Sequence, residues 1–392
     1  MRHRHDIVRV ALVGGPMYDP LYDAIPAFER DTGLRVEVVA RLPHPELNAF
    51  VKQAFESGDA DLDLLSTHTK YAPSQVQWLA PLDSSVDEAD LLSRPVELSR
   101  IDGRLLQVPR NLDVRLLHYR TDLIDEPPDS WTRLAETASR VTRPGLYGFV
   151  FPGRDSGLFG TFYEMLVGAG GMLFDDDLRP AFDSAEGMWA ASLIAELHHE
   201  RRVTPSALPD WHYDEISACF RAGDAAMVCD WPGSYHLYEN PATCAVWDRM
   251  ALAPLPAGPA GRNAAYGGCH SFALSAMARN IDGALALMRF LTSPDAQLAE
   301  ARLGAIPCRS SALARVREES AADPVAARRW QLLADAEETM IVPPRFAAYP
   351  RCEDAIWHSV QRAMVADWTP RDAVGRAASA IASIVPTATV ES

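Results

Sequence analysis

The chemistry-bearing side chains of this chain are densest in residues 103–122, GRLLQVPRNLDVRLLHYRTD. Arg110, Asn111 and Asp113 there set a guanidinium, an amide and a carboxylate side by side, a donor, a donor–acceptor and an acceptor of hydrogen bonds. The guanidinium can also take a carboxylate, phosphate or sulfonate bidentately, or salt-bridge across the joint between the strands on either side. Catalytic groupings are absent by pattern. There is no G-x-S-x-G elbow, and the adjacent pair Cys269-His270 would point to opposite faces of a strand, so neither can serve the other as nucleophile and base. His198 and His199 lie about 100° apart on a helix and do not form the i,i+4 pair of a zinc protease. Asp175, Asp176 and Asp177 lack the spaced oxygens and distal Glu of a calcium loop and read as a solvated turn. The six cysteines contain no C-x-x-C pair, so buried, unpaired thiols are expected, although Cys219 and Cys229 are near enough in sequence to bridge. No catalytic residue, metal or cofactor is expected.

These groups need a scaffold, and the first third of the chain supplies a recognisable one. Residues 8–13 read as a buried strand and 18–32 as a helix with Leu21, Ile25 and Phe28 on one face, closed by Gly33. A strand at 35–40, a helix at 45–57 and a strand at 61–66 follow, which implies a parallel sheet with right-handed crossovers. Ligands of such sheets sit beyond the strand C-termini, nominating the loops Gly14 to Tyr18 and Ser66 to Tyr71. A dinucleotide reading of Gly14-Gly15 fails for want of the later glycines. Residues 105–108 and 114–119 read as two strands, with Pro109 ending the first and the polar tetrad between them forming a hinge. Further on, the spacing predicts a helix at 131–141 capped by Asp129 or Ser130, a strand at 148–151, a loop at 152–157 containing Ser156, and a core helix at 159–167. Helices at 185–200 and 214–222 and a strand at 225–229 lead to Trp231, an aromatic placed to line a cleft. The tail reads as two packing helices, 352–365 and 370–384.

At 392 residues two domains are expected. With 53 acidic against 37 basic residues the formal charge is −16, which disfavours nucleic acid and anionic membranes as partners. No apolar run approaches the length of a membrane span. Residues 1–5 are basic and 7–13 mostly apolar, but Arg9 interrupts the run and no small-residue cleavage site follows, so a signal peptide is not expected in this numbering.

The order of several segments resembles the extracellular solute-binding proteins (family 1) of ABC importers, within their sugar-binding group. The segments are DLDLLSTHTKYAPSQVQWLAPLD from Asp61, GRLLQVPRNLDVRLLHYRTDLI, PDSWTRL, CFRAGDAAMVCDW, APLPAG with Gly267-Gly268, and ALMRFLTSPDAQLAEARLGAIPCR. The resemblance implies an α/β, two-lobed periplasmic-binding-protein fold of type II whose lobes, joined by a multi-crossing hinge, close on one small molecule. Crossings would fall near 111–113, near 269–272 and after Pro307. Lobe 1 would be 1–111 plus 271–310, and lobe 2 would be 112–270 plus 311–392. It also implies ligand contacts from Gly15, Tyr18, Thr67, His68, Asn111, Asp113, Ser156, Trp231, Gly267 and Gly268, with Arg110, His270 and Arg345 as further candidates. Two positions depart from the family pattern. Cys269-His270 follows the paired glycines where an aromatic is common, and Arg110 stands where an uncharged residue is common, which opens the way to an acidic or derivatised sugar. Arg345 lies where the last cleft segment would run. The implied partners are a sugar or sugar derivative and an ABC permease with its ATPase. The implied state is an exported monomer, periplasmic or at the cell surface. A carbohydrate-active enzyme or a sugar-sensing regulator on the same fold is the alternative.

Overall fold

The structure, a computed structural model, describes residues 6–58 and 60–385. The basic segment 1–5, on which the signal-peptide question turns, lies outside the described residues. In chain order the principal strands are β1 (Ile7–Val13), β2 (Arg35–Leu42), β3 (Leu64–His68), β4 (Val108–Val114), β5 (Leu116–Arg120), β6 (Met227–Asp230), β7 (Met250–Ala253), β8 (Ala265–Leu274) and β9 (Ile306–Pro307). The helices that matter below are α1 (Asp19–Thr32), α2 (His44–Glu56), α3 (Trp131–Val141), α4 (Asp155–Gly168), α5 (Ala185–Ala195), α6 (Tyr213–Ala222), α7 (Ile281–Leu291), α8 (Pro294–Arg302), α9 (Tyr349–Met364) and α10 (Pro370–Ile384).

Two α/β lobes each carry their own sheet. The first sheet runs β9-β4-β8-β3-β1-β2, and its opening β1, β2 and β3 are parallel, as the alternating pattern requires. Strand β1 is buried on both faces: Val8, Val10 and Leu12 join Phe28 of α1 and Leu287 of α7 in one core, while Ala11 and Val13 join Leu47 and Val51 of α2 in another. Gly33 ends α1 in the left-handed conformation, φ 73°, as its sequence position predicts. The third strand starts three residues later than expected, at Leu64. The sheet is mixed rather than parallel, because β8 lies antiparallel between β3 and β4.

The polar tetrad is not a loop between two strands. It lies inside β4, all of whose residues are buried, with Leu112 opposite Cys269 of β8 on one side and Ile306 of β9 on the other. Pro109 does not end the strand, because β8 shifts register between His270 and Ser271 where the missing N–H would fall. The chain turns at Arg115, and β5 continues into the second sheet, of order β6-β5-β7.

In the second lobe Ser130 caps α3 by accepting the Arg133 N–H. Helix α4 is buried from Gly157 to Gly168, as an all-round apolar helix must be. Helices α5 and α9 pack around it and α10 packs on both, in one continuous core. The expected helix 185–200 is α5 followed by a π-helical turn, Glu196–Glu200, and the expected strand 148–151 is a single bridge, Val150 to Val228. All six cysteines are free and buried, Cys219 and Cys229 included.

Candidate ligand-binding cleft

A cavity of about 300 Å³ opens between the lobes, at the small end of the range for small-molecule sites. Its walls follow the end-of-strand rule. Strand β1 runs into Gly15 and Tyr18, β2 into His44 at the start of α2, and β3 ends in His68. From the other lobe β6 delivers Trp231, while α4 and α6 begin at Asp155 and Tyr213.

One wall is a cluster of imidazoles. Ring centroids are 4.6 Å apart for His44 and His270, 5.0 Å for His68 and His270, and 5.7 Å for His44 and His68, with the Tyr18 ring edge-on at 5.6 Å from His270. His44 Nε2 lies 2.7 Å from His270 Nδ1, and His270 Nε2 lies 2.6 Å from Asp113 Oδ2. That carboxylate oxygen is buried with no donor aligned on it, so the second contact is electrostatic rather than a linear hydrogen bond. Burial first, then the neighbouring His270 and Lys70, holds His44 well below the usual imidazole range. Burial followed by His270 and His44 does the same to His68. No group of His, Cys, Asp and Glu among the described residues is arranged to hold a metal ion.

The opposite wall is aromatic. Tyr213 and Trp231 are 5.4 Å apart and Trp231 and Tyr266 5.8 Å, both tilted. Behind them Arg115 sits with its guanidinium 5.8 Å from the Trp231 ring and 5.9 Å from that of Tyr266. Arg115 donates through Nε to Glu164 Oε1 at 2.9 Å and through a second nitrogen to Oε2, and Glu164 Oε1 also accepts the Tyr266 N–H at 2.8 Å. Both side chains are completely buried. Burial raises the Glu164 carboxyl, with Arg115 pulling the other way; burial opposes the Arg115 charge, but Glu164 outweighs it and the net shift is upward.

Trp231 is anchored by Asp230, which accepts its N–H at 2.8 Å and the Tyr238 hydroxyl at 2.6 Å. Burial raises Asp230 to about 6 despite both bonds. A carboxyl that binds its proton more tightly when folded adds stability that is fully present below about pH 4 and is lost as pH rises through about 6. Wild type minus Asp230→Asn, followed by chemical denaturation between these limits, should therefore lose roughly 2–3 kcal/mol as pH rises. A flat difference would show that Asp230 does not titrate in this window.

The cations of the cleft are already engaged by the protein, two of them by carboxylates. Lys70 Nζ bonds Glu353 Oε1 at 2.5 Å, linking the end of β3 to α9 of the other lobe, both side chains 5% exposed. Arg154 pairs with Asp155 at 3.1 Å, and Arg221 bonds Ser217 and the Thr243 carbonyl. The positive N-termini of α2, α4 and α6 point at the cavity, and each carries a carboxylate in its first turn: Glu46, Asp155, and Asp214 with Glu215.

Of the residues expected from the sequence, Gly15, Tyr18, His68, Ser156, Trp231 and His270 come together on this cavity. The others lie outside its lining. Arg110 bonds Glu300 of α8 at 2.9 and 3.0 Å, the salt bridge that its sequence position left open, so it offers no free cation to an acidic ligand. Thr67 donates to Gln75, and Asn111 to Asp113. Arg345 donates to the carbonyls of Glu97, Leu98 and Arg100. Gly267 and Gly268 act through space rather than contact: a Cβ on Gly268 would meet the His68 ring at 2.5 Å. His44, His212, Tyr213 and Tyr266 were not foreseen, while Lys70 and Arg154 lie in loops the sequence had marked without singling them out. The end-of-strand rule reaches His44 once it is applied to β2 as well as to β1 and β3. Tyr266 immediately precedes the paired glycines.

A two-lobed scaffold with its polar and aromatic walls converging between the lobes defines a solute-binding protein. The sequence profile of the bacterial extracellular solute-binding proteins matches residues 23–328, and the chain belongs to that family. A probable ABC transporter-binding protein of Deinococcus radiodurans is 25% identical over 300 residues, 72% of this chain and 71% of the relative. A probable amino-acid ABC transporter periplasmic-binding protein of Sinorhizobium fredii is 24% identical over 328 residues, 78% of this chain and 73% of the relative. The solved structure of maltose-bound MalE3 from T. maritima superposes with a TM-score of 0.89 at 26% identity, covering 96% of this chain and 99% of that one. The chain is thus the solute-binding component of an ABC transporter, a binding protein and not an enzyme. No helix among the described residues is long and apolar enough to cross a membrane.

Proposed function

We propose that the cleft captures a neutral polyhydroxylated solute, a sugar or polyol, between its imidazole and aromatic walls. The observation that carries this is the face of Tyr213, Trp231 and Tyr266 set opposite His44, His68 and His270. A pyranose or polyol needs an apolar surface for its C–H face and polar groups for its hydroxyls. The paired cations and carboxylate-bearing helix starts argue against an anionic ligand. MalE3, bound to maltose, supports the sugar class, whereas the name of the S. fredii relative points to amino acids. In this reading Gly15, Tyr18, His44, His68, Ser156, Trp231 and His270 meet the ligand. Segments 1–111 plus 271–310 close against 112–270 plus 311–392. An exported monomer, periplasmic or held at the cell surface, then delivers the solute to a permease driven by an ATPase.

A thermal-shift screen over maltose, tagatose, D-mannitol, sugar acids and the amino acids tests this. A ligand at 100 times its dissociation constant adds about 2.7 kcal/mol by mass action. Stabilisation by a neutral sugar or polyol is expected; stabilisation by amino acids alone would overturn the reading.

A further inference from the structure

We propose that His44 selects a ligand hydroxyl by accepting its hydrogen through Nδ1, and that buried Asp113 holds His44 in that role through His270. The inference rests on the polyhydroxylated ligand proposed above.

The argument follows the protons. Asp113 is 1% exposed, and its Oδ1 is occupied by the Asn111 amide at 3.0 Å. Its other oxygen lies 2.6 Å from His270 Nε2. No donor is aligned on that oxygen, so the preference is electrostatic: with the Asp113 carboxylate beside it and the Tyr18 hydroxyl 3.5 Å away, Nε2 of neutral His270 carries the proton in preference to a lone pair. His270 Nδ1 is then an acceptor, and the atom 2.7 Å away, His44 Nε2, must be its donor. With its proton fixed on Nε2, neutral His44 is left with a lone pair on Nδ1. That nitrogen bonds to no described residue and belongs to a ring that lines the cavity. His68 is fixed in the complementary sense: its Nδ1 accepts the Lys70 N–H at 3.3 Å, which leaves a donor on Nε2. One acceptor and one donor on neighbouring rings suit vicinal hydroxyls, each of which both gives and takes a hydrogen bond.

Several groups face His44: His270 on β8, His68 on β3, Lys70 and Tyr71 beyond it, Tyr18 after β1, Arg110 and Asp113 on β4, and His212 from the second lobe. Burial and the cationic neighbours keep His44 uncharged into the acid range, so the acceptor persists at neutral pH. Asp113 and His270 are positioning residues for it.

Two measurements separate this from the reading it rests on. Long-range ¹⁵N spectra of the ligand-free protein should show His44 and His270 as single Nε2–H tautomers at pH 7, and Asp113→Asn should mix them. An Nδ1–H tautomer of His44, or no change in the variant, would overturn the relay. Calorimetry with maltose and D-mannitol should show His44→Phe weakening binding roughly ten- to hundredfold, with His44→Asn, whose amide oxygen falls near the lost Nδ1, recovering most of it. Full affinity in His44→Phe sinks this inference alone. No binding by wild type sinks the sugar reading and this inference together. Binding abolished by EDTA would mean that the imidazoles hold a metal instead.

Discussion

Replacing Glu164 by glutamine lowers the free energy of unfolding by about 3–5 kcal/mol, the cost of leaving one member of a buried ion pair without its counter-charge. Arg115 cannot shed its proton and has no water to turn to, since both side chains are completely buried. One of its terminal nitrogens already lacks a partner, so the variant would strand most of the guanidinium. The loss reaches the cleft, because the same carboxylate holds the Tyr266 N–H and thereby the start of β8. Urea denaturation at neutral pH measures the effect, and removing both charges with apolar residues of similar volume should recover much of it. A midpoint shift of less than about 1 kcal/mol would mean that water enters beside Arg115 and that the aromatic wall has no rigid backing.

Trp231→Ala should weaken binding of the sugar found in the thermal-shift screen by about 2–4 kcal/mol, roughly 30- to 1000-fold in dissociation constant. Trp231 is half-buried in the free protein, flanked by Tyr213 and Tyr266, and fixed through its own N–H by Asp230. A ring flanked by two aromatic side chains, on a backbone pinned by Asp230, presents its face with little further ordering cost, which concentrates binding energy there. Calorimetry on wild type, Trp231→Ala and Trp231→Phe gives the comparison, with the phenylalanine variant expected between the other two. Urea midpoints taken alongside separate lost contact from lost folding. Unchanged affinity in the alanine variant would remove the aromatic wall from the account of recognition.

Much of the scaffold could be read from pattern because local physics governs it. The apolar alternation of β1, the spacing of Leu21, Ile25 and Phe28, the αL glycine after α1, and the Ser130 cap are each decided within a few residues. The failures share another cause. Pro109 and the polar tetrad look like a break because strands rarely carry such residues, yet β8 and β9 supply partners from more than 150 residues away. The register shift that accommodates Pro109 belongs to β8 and leaves no mark on the tetrad's own sequence. The cleft divides in the same way. Gly15, Tyr18, His68 and Trp231 follow strands and were within reach, and the Asn111–Asp113 bond is an i,i+2 contact that strand alternation puts on one face; the role of Arg110 depends on Glu300, whose closeness is a tertiary fact. The histidine cluster joins α2, β3 and β8, three segments that no spacing rule connects.

The Lys70–Glu353 bridge carries a consequence for how the jaws part. Its two ends, Lys70 just after β3 and Glu353 on α9, are both 5% exposed with the cleft as it stands. Dissolved ions barely reach a buried pair, but they screen each charge once it is bared. If parting the lobes bares this pair, salt should favour the gaping form over the shut one without touching the ligand, and stopped-flow release of a bound ligand should be slower in dilute buffer than in brine.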